Sequence, residues 1–231
     1  MVRAMTSSLF CVSLLFVGII CVSGQSSIIE TFNGQVIRAK KNPNVEGSQY
    51  LGSGNWFLGT CIAPNGTKFT DISMRYDSYE GLLEIKKEDG IIAVDRNYLS
   101  AFEYFTIVKS GDTLFYKFKT FKSLEGKPGT EYLQVLTDSE KIKLLVRRKV
   151  VMKEVSPTSY GGGSHQQFLK DDETFISVNN KVEVVRRNQK FFLAMFPALN
   201  DDIKKFLKAN DSNLNNDKDL AALCLFLSSR I

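Results

Sequence analysis

The pattern of apolar and polar residues divides the chain into a β-rich stretch and a shorter helical end. From about Trp56 to Lys153, apolar residues occur in short or alternating runs that end at turn-forming residues about every 8–12 positions. This spacing is typical of antiparallel β structure, in which alternate side chains face opposite sides of a sheet. The predicted strands are residues 56–63, 68–76, 82–87, 91–95, 102–108, 114–121, 132–136, 141–153, 175–178 and 182–185.

Local turn chemistry places the connections between these strands. The pair Asn65-Gly66 predicts a type I′ hairpin turn, since both residues tolerate the positive φ angle that this turn needs. Asn179-Asn180 predicts the turn of the last hairpin by the same reasoning. Residues 156–166 contain the only glycine run, Gly161-Gly162-Gly163, and predict a loop or linker before that hairpin.

After the last hairpin the period of the apolar residues changes from two to 3.6, which predicts short helices. The first ends before Pro197, the second is capped by Asn200, and the third is capped by Asn216 or Asp217. The third helix has apolar residues at helical spacing on one face: Leu220, Leu223, Cys224 and Leu227.

These elements predict a mainly β (α+β) fold. An antiparallel β meander would form a sandwich or a partly closed barrel, followed by two to three C-terminal helices. The predicted organisation is a cleaved signal peptide at residues 1–24, a β body at 25–187 that includes the final hairpin, and a helical cap at 188–231.

The first 24 residues have the features of an export signal. Arg3 precedes an apolar run at residues 9–22, which is too short to span a bilayer comfortably. Val22 and Gly24 occupy the small-residue positions of a cleavage site, so Gln25 would begin the mature chain. We therefore expect a protein that is periplasmic, associated with the outer envelope or secreted, with no transmembrane span once the signal is removed. Work in that compartment excludes reactions that depend on ATP or on a nicotinamide pool.

Cleavage at that point would leave two of the four cysteines, Cys61 and Cys224. They could pair in an oxidising compartment, although the apolar helix face around Cys224 favours a buried free thiol. Cys21 follows an apolar run and could carry a lipid, but Ile20 stands where lipid-attachment motifs have a small residue.

Composition adds little about ligands. The formal net charge is +5, and loss of Arg3 with the signal removes one positive charge. So small an excess steers partners weakly, and an exported protein seldom meets nucleic acid, so no nucleic-acid partner is expected. Metal-ligand spacings and cofactor motifs do not occur in the sequence, so no metal or cofactor is expected.

Catalytic motifs are equally scarce. His165 is the only histidine, so a nucleophile–base pair that uses imidazole must include it. It lies beside Ser164 in the predicted loop, where neighbouring side chains diverge. A hydrolase that works through His165 is therefore the least favoured functional class.

The predicted strand at 141–153 has the one charge pattern with functional weight. Alternation places five cations on one face: Lys141, Lys143, Arg147, Lys149 and Lys153. Outside the cytoplasm such a face could bind anionic lipid headgroups or acidic glycans. The alternative is a solvated sheet face whose charges discourage edge-to-edge pairing.

Residues 59–90 contain the motifs Met74-Arg75-Tyr76 and Leu83-Glu84-Ile85-Lys86, and a lysine-rich helix is predicted at 202–208. In these features the chain resembles a group of small exported proteins of Bacteroidota that have no known activity. Asp77 stands where the group has asparagine. The resemblance implies an exported location and a β body with C-terminal helices, but no site residues.

Together these features predict an exported, non-enzymatic envelope protein with a binding or interaction role. Its partner would be an envelope protein, a lipid or a glycan. A lipid or an anionic glycan would bind either in the interior of the barrel or on the basic strand.

Overall fold

The computed structural model describes residues 45–52, 54–88, 90–107, 113–124, 128–156 and 164–231. The predicted export signal, its cleavage site and Cys21 lie outside these residues, as does the glycine run at 161–163.

The described chain is a series of strands followed by three α-helices. The strands are β1 Val45–Glu46, β2 Phe57–Ile62, β3 Lys68–Asp77, β4 Leu82–Lys86, β5 Ile91–Val94, β6 Ala101–Ile107, β7 Thr113–Lys122, β8 Thr130–Asp138, β9 Ile142–Arg147, β10 Val150–Val155, β11 His165–Lys170, β12 Glu173–Val178 and β13 Lys181–Val184. The helices are α1 Gln189–Met195, α2 Asn200–Ala209 and α3 Asp217–Ser228, and single 3₁₀ turns lie at Arg96–Tyr98 and Pro197–Leu199.

Ten strands form one antiparallel sheet in the order β13-β12-β9-β8-β7-β6-β2-β3-β4-β5. A second sheet has the order β1-β11-β10, with β1 parallel to β11. Within the described residues β5 and β13 each pair on one side only, so the large sheet does not close into a barrel. The predicted mainly β fold, sandwich-like and with helices at the C-terminal end, is confirmed.

The large sheet curls strongly, so that strands far apart in its order meet. Although β7, β6 and β2 separate β8 from β3, the rings of Tyr132 and Tyr76 lie edge to face with centroids 6.5 Å apart. The ring centroid of Phe118 lies 4.7 Å from that of Tyr76 and 4.6 Å from that of Phe102. Stacked and edge-to-face rings therefore fill the space inside the curl.

The three helices cover the β8–β9–β12 end of the same sheet. Ile142, Leu144 and Ile176 pack against a cluster of helix side chains that includes Phe192 and Ile203. The predicted apolar face of α3 is confirmed, since all four of its residues are buried: Leu220, Leu223, Cys224 and Leu227.

Both predicted hairpin turns form, but the type I′ geometry predicted for Asn65-Gly66 is wrong. Of these two residues only Gly66 has a positive φ, +85°, and its N–H donates to the Ala63 carbonyl, so Pro64 and Asn65 are the central residues of that turn. Asn179 and Asn180 both have positive φ, at +48° and +65°, which is the geometry that a two-residue hairpin turn requires.

One predicted helix cap is confirmed and another is wrong. The Asn216 side chain accepts from the N–H of Lys218 at the start of α3, as predicted. Asn200 does not cap α2: it is the first helical residue, and its side-chain oxygen is buried without a hydrogen-bond partner among the described residues. The reason is that the 3₁₀ turn at Pro197–Leu199 runs directly into α2, so the chain is already helical when it reaches Asn200.

The single long strand predicted at 141–153 is also wrong. The chain bends at Arg148 and Lys149, so that β9 belongs to the large sheet and β10 to the small one. In a continuous strand Arg148 would have pointed into the apolar face. The bend instead directs its guanidinium to Asp172 and Asp217.

Both described cysteines are free thiols in separate cores, so the alternative of a disulfide between them is wrong. Cys61 lies in the aromatic interior and Cys224 lies between α3 and the sheet. Burial raises the pKa of each thiol to about 12. Neither thiol is therefore a nucleophile at neutral pH.

Candidate functional site

The structure does not arrange the five predicted cations as one face. Arg147 lies on β9 and forms ion pairs with Glu131 and Glu173. The others are distributed as follows: Lys143 near Asp138 at 3.9 Å, Lys149 near Asp171 at 3.2 Å, Lys141 against the Ile231 carbonyl, and Lys153 exposed on β10. Most of their charge is met by neighbouring groups, so their binding of an anionic ligand stays a prediction.

The motifs Met74-Arg75-Tyr76 and Leu83-Glu84-Ile85-Lys86 meet across β3 and β4. Arg75 and Glu84 are directly paired in the register and form a mostly buried ion pair of 2.6 Å. The Arg75 guanidinium lies between two rings, 3.7 Å from the centroid of Tyr50 and 4.2 Å from that of Trp56. Burial and the Glu84 carboxylate raise the pKa of Tyr50 to about 12. The motifs therefore have a structural role, which fixes β3 against β4.

A cleft of about 380 Å³ opens where the curled sheet brings the end of β3 close to the start of β8 and the end of β9. The turn from β3 to β4 forms one wall, and Thr130, Glu131 and Arg147 line the other. Tyr76 and Tyr132 also line it, next to the aromatic interior. We call this cavity the Arg96 cleft, after the cation described below.

Asp77 builds the wall formed by the β3–β4 turn. Its buried carboxylate accepts from the N–H groups of Tyr79 at 2.9 Å and Glu80 at 3.0 Å, and from the Gln49 side chain at 2.6 Å. Gly81 completes the turn with a φ of +67°. Local side-chain-to-backbone bonds of this kind fix a turn without help from a ladder.

Arg96 is the cation of the cleft. It begins the 3₁₀ turn that Asp95 caps, and its guanidinium donates to the carbonyls of Gly81 at 3.0 Å and Glu80 at 2.8 Å. No carboxylate among the described residues lies within ion-pair distance of it. Two neutral carbonyls therefore position the guanidinium, and its charge and its other N–H groups stay available for a ligand.

Two phenol groups lie near this cation. The Tyr132 side chain is almost completely buried, and its hydroxyl has no hydrogen-bond partner among the described residues. Burial raises the pKa of Tyr132 and of Tyr76, and the positive charge of Arg96 acts on both in the opposite direction. Both hydroxyls therefore keep their protons at neutral pH and can donate hydrogen bonds.

The other cations that line the cleft are neutralised. Arg147 forms ion pairs with Glu131 and Glu173, and Lys149 Nζ lies 3.2 Å from an Asp171 carboxylate oxygen. Arg148 donates to Gln134 at 2.6 Å and forms ion pairs with Asp172 and Asp217. Burial alone would lower the pKa of Arg148, but the two carboxylates raise it. The uncompensated positive charge of the cleft therefore comes from Arg96.

His165 and Ser164 lie apart from the cleft. His165 is the first residue of β11, and its Nε2 lies 2.7 Å from a Glu46 carboxylate oxygen. The Ser164 hydroxyl donates to Glu154. The structure therefore does not bring these two side chains together as a nucleophile and its base.

Of the residues that line the Arg96 cleft, the sequence singled out only Arg147 and Lys149, as members of the basic strand. The predicted strands at 68–76 and 82–87 placed a turn between them, but no motif marked that turn as the wall of a cleft. Arg96 binds backbone carbonyls, which leave no trace in the pattern of side chains.

The chain matches no family model, no curated protein and no solved structure. In the part of the chain that the structure describes, no helix combines the length and the apolar character needed to cross a membrane. A functional assignment therefore rests on the cleft and the surfaces around it.

Tyr132→Phe tests the state of the buried hydroxyl. Because a buried donor without a partner is costly, its removal should raise the free energy of unfolding by about 1 kcal/mol, measured by urea denaturation at unchanged m-value. Tyr79→Phe, which removes a hydroxyl from a ring that is 38% exposed, should change stability little. A loss of stability in Tyr132→Phe would show that this hydroxyl has a partner in the folded protein.

Proposed function

We propose that this chain is an exported binding protein of the cell envelope that holds an oxyanion in the Arg96 cleft. The observation that carries the proposal is a guanidinium positioned by two carbonyls, without a carboxylate partner, beside two protonated phenols. Export is inferred from the signal features of residues 1–24, and it places the ligand among the acidic glycans and lipids of an envelope.

The donor set favours an oxyanion over a neutral ligand. A guanidinium presents parallel N–H groups that match carboxylate, sulfate or phosphate oxygens, and bonds to charged groups are about twice as strong as neutral ones. The Tyr132 hydroxyl would gain a partner that the protein itself does not supply. Such a bond costs little, because the hydroxyl is already removed from water.

The same groups favour binding without catalysis. The acids that line the cleft are Glu80 and Glu131. Glu131 already accepts from Arg147 and from the Leu124 N–H, so it is not available as a base. The Glu80 side chain is exposed, and the arginine and phenol groups of the cleft donate hydrogen bonds, which suits recognition of a charge that is already present.

The alternative of a lipid inside the curl has less support. Stacked rings occupy that space, and the cleft lined by Arg96 is open and polar. A phospholipid would therefore present its phosphate to Arg96 and leave its acyl chains outside. An acidic glycan would present a carboxylate or a sulfate to the same groups.

Exchange of Arg96 for glutamine tests the proposal. We expect wild-type protein, purified after export with Gln25 verified as its first residue by intact mass, to bind acidic probes by titration calorimetry. The probes are glycerol 3-phosphate for a headgroup phosphate and galacturonate for a glycan carboxylate. Arg96→Gln should weaken binding by at least about tenfold, which is the loss of a charged hydrogen-bonding group.

The matched control is Arg186→Gln, which removes an exposed arginine next to α1 and should leave affinity unchanged. Tyr132→Phe should weaken binding by a smaller factor than Arg96→Gln, although it stabilises the fold. A loss of affinity together with a gain in stability would show that the hydroxyl contacts the ligand and does not act only through packing. Equal binding by Arg96→Gln and wild type, or no binding of either probe, would refute the proposal.

A further inference from the structure

A second cavity lies on the other side of the turn that forms one wall of the Arg96 cleft. Its volume is about 370 Å³, and Ser78 lines both cavities. The backbone of Ser78 accepts from Val150 at 3.1 Å and donates to Gln49 at 2.8 Å, so the small sheet holds this turn in place. The two cavities are therefore separated only by a rigid turn.

The second cavity combines aromatic rings with a cation. Tyr116 and Phe168 contribute rings, and Lys170 contributes an ammonium group. Among the described residues, no carboxylate lies within ion-pair distance of Lys170. The neighbouring Asp172 already accepts from Arg148 and from the Lys149 N–H. The charge of Lys170 is therefore available in the same way as that of Arg96.

An aromatic ridge connects the two cavities. The ring of Tyr79, which lines the Arg96 cleft, meets the ring of Phe168 edge to face with centroids 5.4 Å apart. Tyr79 is 38% exposed, so part of its ring faces solvent on the ridge. Two uncompensated cations thus lie in cavities on either side of exposed aromatic surface.

From this arrangement we propose that the ligand is an acidic oligosaccharide that spans both cavities. The inference rests on the proposed function of the Arg96 cleft and names its ligand class. One acidic group of the oligosaccharide meets Arg96 and a second meets Lys170. The sugar ring between them packs its apolar C–H face on Tyr79. Aromatic walls with a few placed polar groups are the usual composition of such sites. A lone phosphate or a lipid headgroup would occupy only one of the two cavities.

The dependence of affinity on the length of the oligosaccharide tests this inference. Linked acidic groups convert the second contact into an intramolecular one, so tetragalacturonate should bind at least about tenfold more tightly than galacturonate. Lys170→Gln should weaken tetragalacturonate by about tenfold and leave glycerol 3-phosphate unchanged. Tyr79→Ala should also weaken the tetramer, and by a larger factor than it weakens glycerol 3-phosphate. Lys68→Gln, at an exposed lysine that begins β3, is the control and should change neither affinity.

The outcomes separate this inference from the proposed function. If Arg96→Gln weakens both acidic probes but monomer and tetramer bind alike, the cleft binds an oxyanion and the spanning oligosaccharide is refuted. The protein could also bind phosphatidylglycerol vesicles more tightly than tetragalacturonate, with a vesicle affinity that Lys170→Gln does not change. This result would refute the spanning oligosaccharide and identify the ligand as a lipid headgroup. If neither acidic probe binds, the proposed function itself fails.

Discussion

Exchange of Asp217 for asparagine is expected to lower the free energy of unfolding by about 3 kcal/mol, because it leaves a buried arginine poorly paired. Asp217 begins α3 and accepts from Arg148 and from Arg187, the latter at 2.6 Å. The Arg148 side chain is only 11% exposed and would keep Asp172 as its one carboxylate partner. The helix cap is not affected, since Asn216 supplies it. Urea denaturation measures the loss.

Asp201→Asn is the matched control. Asp201 lies in the first turn of α2, as Asp217 does in α3, but it is exposed and only 3.8 Å from Lys204. Its replacement should cost no more than about 0.5 kcal/mol. Equal losses in the two variants would mean that the ion pairs of Asp217 contribute nothing beyond an exposed helix charge.

The pH dependence of stability gives a second measure of the same contact. Burial opposes ionisation of Asp217, but Arg148 and Arg187 outweigh it and lower the pKa of this carboxyl. The folded protein therefore releases this proton more readily than the unfolded chain. The contribution of Asp217 is complete above the unfolded pKa of about 4 and is lost as the pH falls through the lower folded pKa. The stability difference between wild type and Asp217→Asn should therefore shrink below about pH 4.

The fold could be predicted from the sequence wherever neighbouring residues determine it. The hairpin turns at Gly66 and at Asn179-Asn180 follow from their backbone preferences, and the buried face of α3 follows from helical spacing. The bend after β9 could not be predicted in this way. The groups that hold Arg148 there are Asp172 and Asp217, which are distant in the chain. A pattern read over a dozen residues cannot contain that information.

The role of Arg96 as the cation of the candidate site could not be predicted from the sequence for a related reason. Its cation is held by the carbonyls of Glu80 and Gly81, and every residue can offer a carbonyl. Its second wall comes from β8 and β9, which reach the β3–β4 turn only because the sheet curls. The alternating lysines near β9 formed a stronger pattern in the sequence, yet acidic neighbours meet most of their charge. Whether a cation lacks an acidic partner depends on the residues that the fold places beside it. The number of cations in a strand does not contain this information.

Inside the curled sheet the backbones of β2 and β6 approach each other closely at Gly59 in β2. This strand is central in the order of the large sheet and pairs with β3 on one side and β6 on the other. A Cβ atom at Gly59 would overlap the Glu103 carbonyl oxygen, and it would lie 2.9 Å from the Tyr104 Cβ and 3.0 Å from the Met74 methyl group. The register between β2 and β3 also shifts just after Gly59. Glycine is therefore required here by space rather than by its φ angle.

Gly59→Ala should accordingly lower the free energy of unfolding by at least about 3 kcal/mol, since relief of the overlap means separating β2 from β6. The matched control is Gly66→Ala, where φ is +85° but nothing lies within 4 Å of an added Cβ. That substitution strains the backbone alone and should cost about 1 kcal/mol. Far-ultraviolet circular dichroism and urea denaturation measure both, and a Gly59→Ala protein that fails to fold also meets the expectation. A Gly59→Ala variant as stable as wild type, or one less affected than Gly66→Ala, would mean that β2 and β6 can separate freely. In that case the curled sheet would not hold the walls of the Arg96 cleft at a fixed distance.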